Sequence, residues 1–370
     1  VKKKRIVVKI GSSSLTDDAG GLSVGKMQRL VEQIAFLQFK QGYRLILVSS
    51  GAVAAGLKRL GWARPQITMP EKQAAAAVGQ GILIETYQRL FQKQGIQIAQ
   101  LLLTRSDIED RKRFIHTRNT MEALLRNGVL PIVNENDTVA VEEIRFGDND
   151  TLSSLVALVA EADLLVLLTD IDGLYTAHPK HHPQAKRIEE VWEITPELEA
   201  VAGGSSSRVG TGGMQTKLAA ARIAIHSGID VVVASSSEPN VLRKIVKKEA
   251  IGTRFYAQHR LSSKKSWLAY GTRIEGSLMI DTGATQALVI QKRSLLLAGI
   301  KEVRGEFDEG SVVEMVNEEK CCIGKGVVSF SSQDLHLLLQ LRQMGERLHH
   351  DQEVIHRDSM VILVREGNRV

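Results

Sequence analysis

The sequence predicts an α/β fold: an open, mainly parallel sheet sandwiched by helices, with a small β-rich domain at the C-terminal end. Two observations predict the first part. Up to about Gly252, short apolar runs alternate with helix-like stretches, and almost every run ends in a small or polar cluster. Continuous apolar strands separated by helices indicate a parallel sheet covered on both faces, and ligands of such sheets sit at the carboxyl ends of the strands. A third observation predicts the second part: after about Ile274 the chain breaks into short β-prone pieces between turn signals.

In chain order, RIVVKI (5–10) leads to Gly11-Ser12-Ser13-Ser14, and RLILVS (44–49) to Ser50-Gly51-Ala52. VLPIV (129–133) leads to Asn134-Glu135-Asn136-Asp137, LLVLLT (164–169) to Asp170-Ile171-Asp172-Gly173, and DVVVA (230–234) to Ser235-Ser236-Ser237. Five segments thus point at one sheet edge. Between them VGKMQRLVEQIAFLQFKQG, TLSSLVALVAEA and MQTKLAAARIAIHSG carry apolar residues at helical spacing. The polar, aperiodic stretch 254–274 reads as a linker, which places the first domain at 1–253 and the second, with a C-terminal extension, at 275–370. In the latter, GSLMIDTGATQALVI, SVVEMV and CCIGKGVVSF read as strands around turns such as Asp308-Glu309-Gly310.

Composition narrows the class. A chain of 370 residues suffices for two domains, and no run approaches the roughly 18 apolar residues of a membrane span. The opening VKKKRIVVKIGSSS has too short an apolar core for a signal peptide and reads as a first strand. The only cysteines, Cys321 and Cys322, are adjacent, which excludes a disulfide framework and points to a reducing cytosol. The net charge of +6 is unevenly placed: from Arg254 onward 16 Lys and Arg face 15 Asp and Glu, leaving 32 against 27 before it. That excess suits an anionic substrate at least as well as RNA.

The stretch GTGGMQTK (210–217) has the texture of a phosphate loop but not the Walker A pattern, because Thr216 precedes Lys217 and Leu218 follows it. Its glycines let backbone N–H groups face a ligand at a helix N-terminus near Met214, and Lys217 in the first turn adds a point charge. A surface loop that happens to precede a helix is the alternative. Lys9 closes an apolar strand, where placement at the ligand edge or on a solvated edge strand both account for it. Together, two such cations flanking a phosphoryl group would stabilise its charge. NENDTVA (134–140), FGDNDTLS (146–153) and TDIDG (169–173) supply carboxylates and amides suited to a substrate ammonium, to steering lysines or to Mg²⁺, with helix capping by Asn149 or Asp150 as the plain alternative. His178, His181 and His182 lie in a proline-broken loop without fixed ligand geometry.

VVKIGSSSLT, VSSGAVAAG, NENDTVA, FGDNDTLS, LLTDIDGLYT and GTGGMQTK, in that order, resemble the amino acid kinase family, and the following segment is similar to a PUA domain. The resemblance implies the amino acid kinase fold and a cytoplasmic, homo-oligomeric enzyme. Its implied reaction is ATP-dependent, Mg²⁺-assisted phosphorylation of the γ-carboxylate of L-glutamate to L-glutamyl 5-phosphate, the first step of proline biosynthesis. It further implies proline as feedback inhibitor and glutamyl-phosphate reductase as pathway partner. By position it implies a catalytic set of Lys9, Lys217 and Asp150, and a glutamate site of Ser50, Gly51, Asn134, Asp137, Asp148 and Asn149. The implied ATP site comprises Lys9, Gly11, Ser12, Thr169, Asp170, Thr211, Gly212, Gly213, Met214, Gln215, Thr216 and Lys217; no residue is assigned directly to metal. An ionised γ-carboxylate, with a reference pKa near ~4.3, needs no general base.

Two departures stand out. His178 replaces an acidic residue common in GLYTADP, and Lys292-Arg293 stands where relatives often have glycine. RNA binding by the PUA-like segment lacks support in the sequence, which has neither net positive charge there nor an interleaved basic-aromatic patch.

Overall fold

The structure is a computed structural model and describes residues 3–62, 67–139, 149–177, 182, 184–203, 213–257, 262–344 and 352–363. The chain divides into two units, Val1–Leu261 and Ser262–Val370. The first contains β1 (Arg5–Ile10), α1 (Val24–Lys40), β2 (Arg44–Ser49), α2 (Ala52–Leu60), α3 (Met69–Gln92), β3 (Ile98–Leu103), α4 (Arg105–Glu109), α5 (Arg111–Arg126), β4 (Leu130–Glu135) and α6 (Asn149–Val159). It continues through β5 (Leu164–Thr169), β6 (Leu174–Tyr175), β7 (Arg187–Ile188), β8 (Glu190–Val191), α7 (Pro196–Gly203), α8 (Met214–His226), β9 (Asp230–Ser235), α9 (Val241–Val246) and β10 (Thr253–Phe255).

Eight strands form one sheet in the order β3-β4-β2-β1-β5-β9-β10-β8. From β3 to β9 the neighbours are parallel, while β10 runs antiparallel to β9. The apolar runs read from sequence are the central strands, and their residues are buried on both faces, as parallel strands under helices require. The short runs IAQLLL and TRF were not among the expected strands, yet they form β3 and β10.

Alternation along β1 decides what each face receives. Ile6, Val8 and Ile10 join a core with Met27, Leu30 and Ile34 of α1 and Leu83, Tyr87 and Phe91 of α3. Full burial of each such side chain contributes ~1.5–3 kcal/mol. Val7 and Lys9 point to the opposite face, where Lys9 meets α6.

Helices α2 and α3 approach so closely that a Cβ added at Gly79 would sit 1.7 Å from the Ala52 carbonyl oxygen. Only glycine fits there. Gly79→Ala is therefore expected to lower stability by about 3 kcal/mol, read as a reduced denaturant midpoint at unchanged slope; an unchanged midpoint would contradict this packing.

The second unit contains α10 (Ser263–Ser266), β11 (Gly276–Ile280), α11 (Thr282–Val289), β12 (Leu295–Leu296), β13 (Ile300–Arg304), β14 (Val312–Val316), β15 (Cys322–Val327), α12 (Ser332–Gln343), β16 (Glu353–Ile355) and β17 (Met360–Ile362). Its main sheet has five strands, β13-β11-β14-β15-β17, with β11 parallel to β14 and the other pairs antiparallel. A separate core gathers Leu278, Ile300, Met315, Ile323 and Leu335. The β-rich reading is met, with α11 and α12 added. Their start signals are local: Asp281 accepts from the Ala284 N–H, and Ser331 with Asp334 forms a capping box.

The stretch 254–274, expected to be a linker, is ordered where described: Arg254 and Phe255 belong to β10, and 263–271 are helical. Lys292 adopts φ 53°, the left-handed region that glycine enters freely. Cys322 opens β15, and Cys321 precedes it.

Candidate active site

Because β1, β2, β4, β5 and β9 are parallel, their polar ends share one edge. The chain passes from β1 to β2 on one side and later to β5 on the other, so the crevice opens at the end of β1. Register sets Ile10 beside Ser49 and Leu168, and Thr169 beside Ser235. After β1 the chain turns at once, the Leu15 and Thr16 N–H groups donating to the Ser12 carbonyl. Among the described residues the N–H groups of Ser12 and Ser13 have no backbone acceptor, so they can face an anion.

At the centre lies Asp150, fully buried in the first turn of α6, between two lysines. Lys9 Nζ is 2.5 Å from Oδ1 and Lys217 Nζ is 3.2 Å from Oδ2. Both lysines are themselves buried, at 6% and 3% exposure, a placement lysine tolerates only when paired. Thr216 Oγ1 lies 2.8 Å from Asp150 Oδ2 and 2.8 Å from the Gly213 carbonyl, with one proton for the two acceptors. Burial pushes the Asp150 carboxyl up. The charges of Lys9 and Lys217, with hydrogen bonds from Lys9 and Thr216, outweigh burial and hold it below its ordinary value of 3.8. The carboxylate thus stays ionised at neutral pH and links the N-terminal turns of α6 and α8 to the end of β1.

A second cluster flanks it. The Asn149 amide nitrogen is 2.7 Å from Ser50 Oγ, 3.0 Å from Asn134 Oδ1 and 3.3 Å from the Ser49 carbonyl. Asn134 Oδ1 also accepts from the Glu135 N–H at 2.9 Å. This network assigns the two amides opposite polarity: Asn149 keeps its carbonyl oxygen as an acceptor, and Asn134 keeps its NH₂ as a donor. Gly51 follows with φ 105°, a left-handed turn that admits the chain from β2 into α2.

On the other side of β1, Thr169 Oγ1 donates to Asp170 Oδ1 at 2.9 Å, and the Thr169 carbonyl accepts from the Ser236 N–H at 2.7 Å. Asp170 is exposed.

The structure therefore brings together Lys9, Asp150, Lys217 and Thr216 in one group, and Ser50, Asn134 and Asn149 in another. Gly11 and Ser12 lie beside the first group; a Cβ on Gly11 would be 3.8 Å from Lys9 Nζ. Gly213, Met214 and Gln215 form the start of α8. Asp137 lies in the turn after β4. Asp148, Thr211, Gly212 and the departure at His178 lie outside the described residues. Thr216, expected on the nucleotide, turns its hydroxyl toward Asp150. The sequence reading missed the bond from Ser236 Oγ to Ser14 Oγ, 2.7 Å, which ties the loop after β9 to the loop after β1. Both serines lie in clusters flagged at strand ends, but nothing local pairs them.

Residues 4–235 match the amino acid kinase family and residues 276–350 the PUA domain. The chain is 48% identical to the glutamate 5-kinase of Carboxydothermus hydrogenoformans over 97% of this chain and 98% of that one. It is 46% identical to the glutamate 5-kinase of Moorella thermoacetica, over 97% and 96%, and to that of Laribacter hongkongensis, over 97% and 98%. Among solved structures, carbamate kinase from Giardia lamblia bound to AMP-PNP shares the fold at TM-score 0.51 and 20% identity, over 69% of this chain and 99% of that one. No helix among the described residues is long and apolar enough to cross a membrane. The matched segments and the near-full-length identity establish the chain as a kinase of the amino acid kinase family with a C-terminal PUA domain.

Proposed function

We propose that this kinase transfers the γ-phosphoryl group of ATP to the γ-carboxylate of L-glutamate, giving L-glutamyl 5-phosphate, and so opens proline biosynthesis. The observation that carries the reading is the pair of buried lysines held on opposite oxygens of Asp150 where α6, α8 and β1 meet. Relatives of this name over nearly the whole chain supply the substrate.

The acceptor carboxylate is already ionised and nucleophilic at neutral pH, so the obstacle is repulsion between two anions. Lys9 and Lys217 carry compensating charge to the transferring group, and the N–H groups of Ser12 and Ser13 with the N-terminus of α8 add directed dipoles. Asp150, held ionised by both lysines, acts as a positioning residue for them and has no proton to give. The acceptor oxygen of Asn149 and the donor NH₂ of Asn134 match the ammonium and α-carboxylate of an amino acid zwitterion. Asp137 adds a second partner for the ammonium.

Among the described residues no three His, Cys, Asp or Glu side chains cluster as a cage, but Mg²⁺ on a nucleotide needs only one or two carboxylates besides phosphate oxygens. Asp170, exposed at the end of β5, fits that requirement. Bound with ATP, Mg²⁺ would supply neutralisation of phosphate charge.

The test is acyl-phosphate formation trapped with hydroxylamine, across glutamate, aspartate, N-acetylglutamate and carbamate. Glutamate-selective turnover is expected; turnover confined to another acceptor overturns the substrate assignment. Asp137→Ala is expected to raise the KM for glutamate about tenfold or more while kcat changes little, since it removes binding common to ground and transition states. Unchanged glutamate kinetics would remove Asp137 from the pocket.

A further inference from the structure

We propose that Tyr87, on α3 and outside every residue assigned above, is a positioning residue that sets the acceptor side of the site through a buried hydroxyl relay to Ser49 and Ser50. The proposal rests on the glutamate reading for the identity of the acceptor, though not for the geometry.

Tyr87 and Ser49 are both fully buried, and their hydroxyls lie 2.9 Å apart. Ser49 Oγ also donates to the Ser50 carbonyl at 3.1 Å. Each hydroxyl has one proton, so with the serine proton committed to Ser50, the phenol proton must go to Ser49. The relay then runs in one direction: Tyr87 Oη to Ser49 Oγ to the Ser50 carbonyl. Burial raises the phenol's pKa above its ordinary value of 10.0, so the phenol keeps its proton across the working range of pH.

The relay ends on the Ser50 carbonyl, and the same two residues, through other atoms, hold the Asn149 amide. The Ser49 carbonyl and Ser50 Oγ are two of the three acceptors that orient the Asn149 amide. Asn149 can present its carbonyl to a substrate ammonium only while that orientation holds. A second contact braces the same corner from the same helix, since Gly79 of α3 lies against the carbonyl of Ala52, two residues beyond Ser50. An apolar residue in place of Tyr87 would fill the space equally well. The phenol oxygen, buried and satisfied by a strand-end serine at the crevice, is the part that packing does not require.

The charges and hydrogen bonds that hold the Asp150 carboxylate ionised come from Lys9, Lys217 and Thr216, which lie outside the relay. Tyr87→Phe is therefore expected to raise the KM for the acceptor about five- to twentyfold, leaving the KM for ATP within twofold and lowering kcat far less than acceptor affinity. Ser49→Ala should act in the same direction, and the double variant should be no worse than the poorer single one, because both remove one relay. The acceptor is the amino acid that the unaltered enzyme phosphorylates in the hydroxylamine assay. Failure of the glutamate reading is seen there, before any variant is made. Failure of the present proposal is seen as Tyr87→Phe with a lowered melting temperature but an unchanged acceptor KM, or as multiplicative effects in the double variant. Either result reduces Tyr87 to a packing residue.

Discussion

Lys217→Ala is expected to lower kcat by about 10²–10³-fold with only a modest rise in the KM for glutamate. The effect is electrostatic. In a dry site, one preorganised charge aimed at a developing negative charge is worth that much, and it acts mainly in the transition state. Lys217 is buried, in the first turn of α8, and reaches Asp150 Oδ2 rather than solvent. Removing it leaves Lys9 and Thr216 on Asp150, so the carboxylate survives while one of the two lysine charges near the phosphate is lost. Steady-state kinetics with the trapped acyl phosphate decide the matter. A kcat within a few-fold of the unaltered enzyme would displace Lys217 from the phosphate and return it to a structural ion pair.

Asp150→Asn is expected to reduce stability by about 3–5 kcal/mol as well as activity. Removing the shared partner takes the opposing charge away from two ammonium groups at 6% and 3% exposure, the situation in which a broken buried pair is most destabilising. Saturating nucleotide should narrow the gap, because its phosphate brings negative charge to the same lysines. The pH dependence has a definite sign. A carboxyl whose folded pKa is depressed below its ordinary 3.8 contributes stability that is complete above the unfolded value and is lost as pH falls through the lower folded value. The stability difference between the unaltered enzyme and the Asn variant should therefore be flat near neutrality and close below about pH 4. Denaturant melts across that range test this; a difference that persists unchanged into acid would show that Asp150 is not the group responsible.

Both predictions turn on contacts whose parts were readable and whose assembly was not. Lys9 at the end of an apolar strand and Lys217 after a glycine cluster are anomalies visible in a line of letters, since each breaks a local pattern. Asp150 is not one: at a helix start it reads equally well as a cap, and it serves instead as the joint between α6, β1 and α8. The helix α3 shows the same limit. Its stretch MPEKQAAAAVGQGILIETYQRLFQ has small residues where an amphipathic helix would have large ones, because backbone contact with α2 replaces side-chain packing at Gly79. Periodicity, which counts large apolar residues, has little to register there.

The alternation of apolar runs and helical spacings, the polar clusters at strand ends and the change of texture near Ile274 are one-dimensional properties. They suffice for the fold class and for the edge at which ligands of such a sheet sit, while the family rests on the resemblance carried by the six ordered motifs. The contacts on which the proposed site rests join residues 67, 99, 38 and 222 positions apart: Lys217 with Asp150, Asn149 with Ser50, Tyr87 with Ser49, and Ser236 with Ser14. Hydrogen bonds and ion pairs act over a few ångströms, so these partnerships depend on where the sheet's register and the helices' N-termini bring the backbone in space, and on no pattern within the segments themselves.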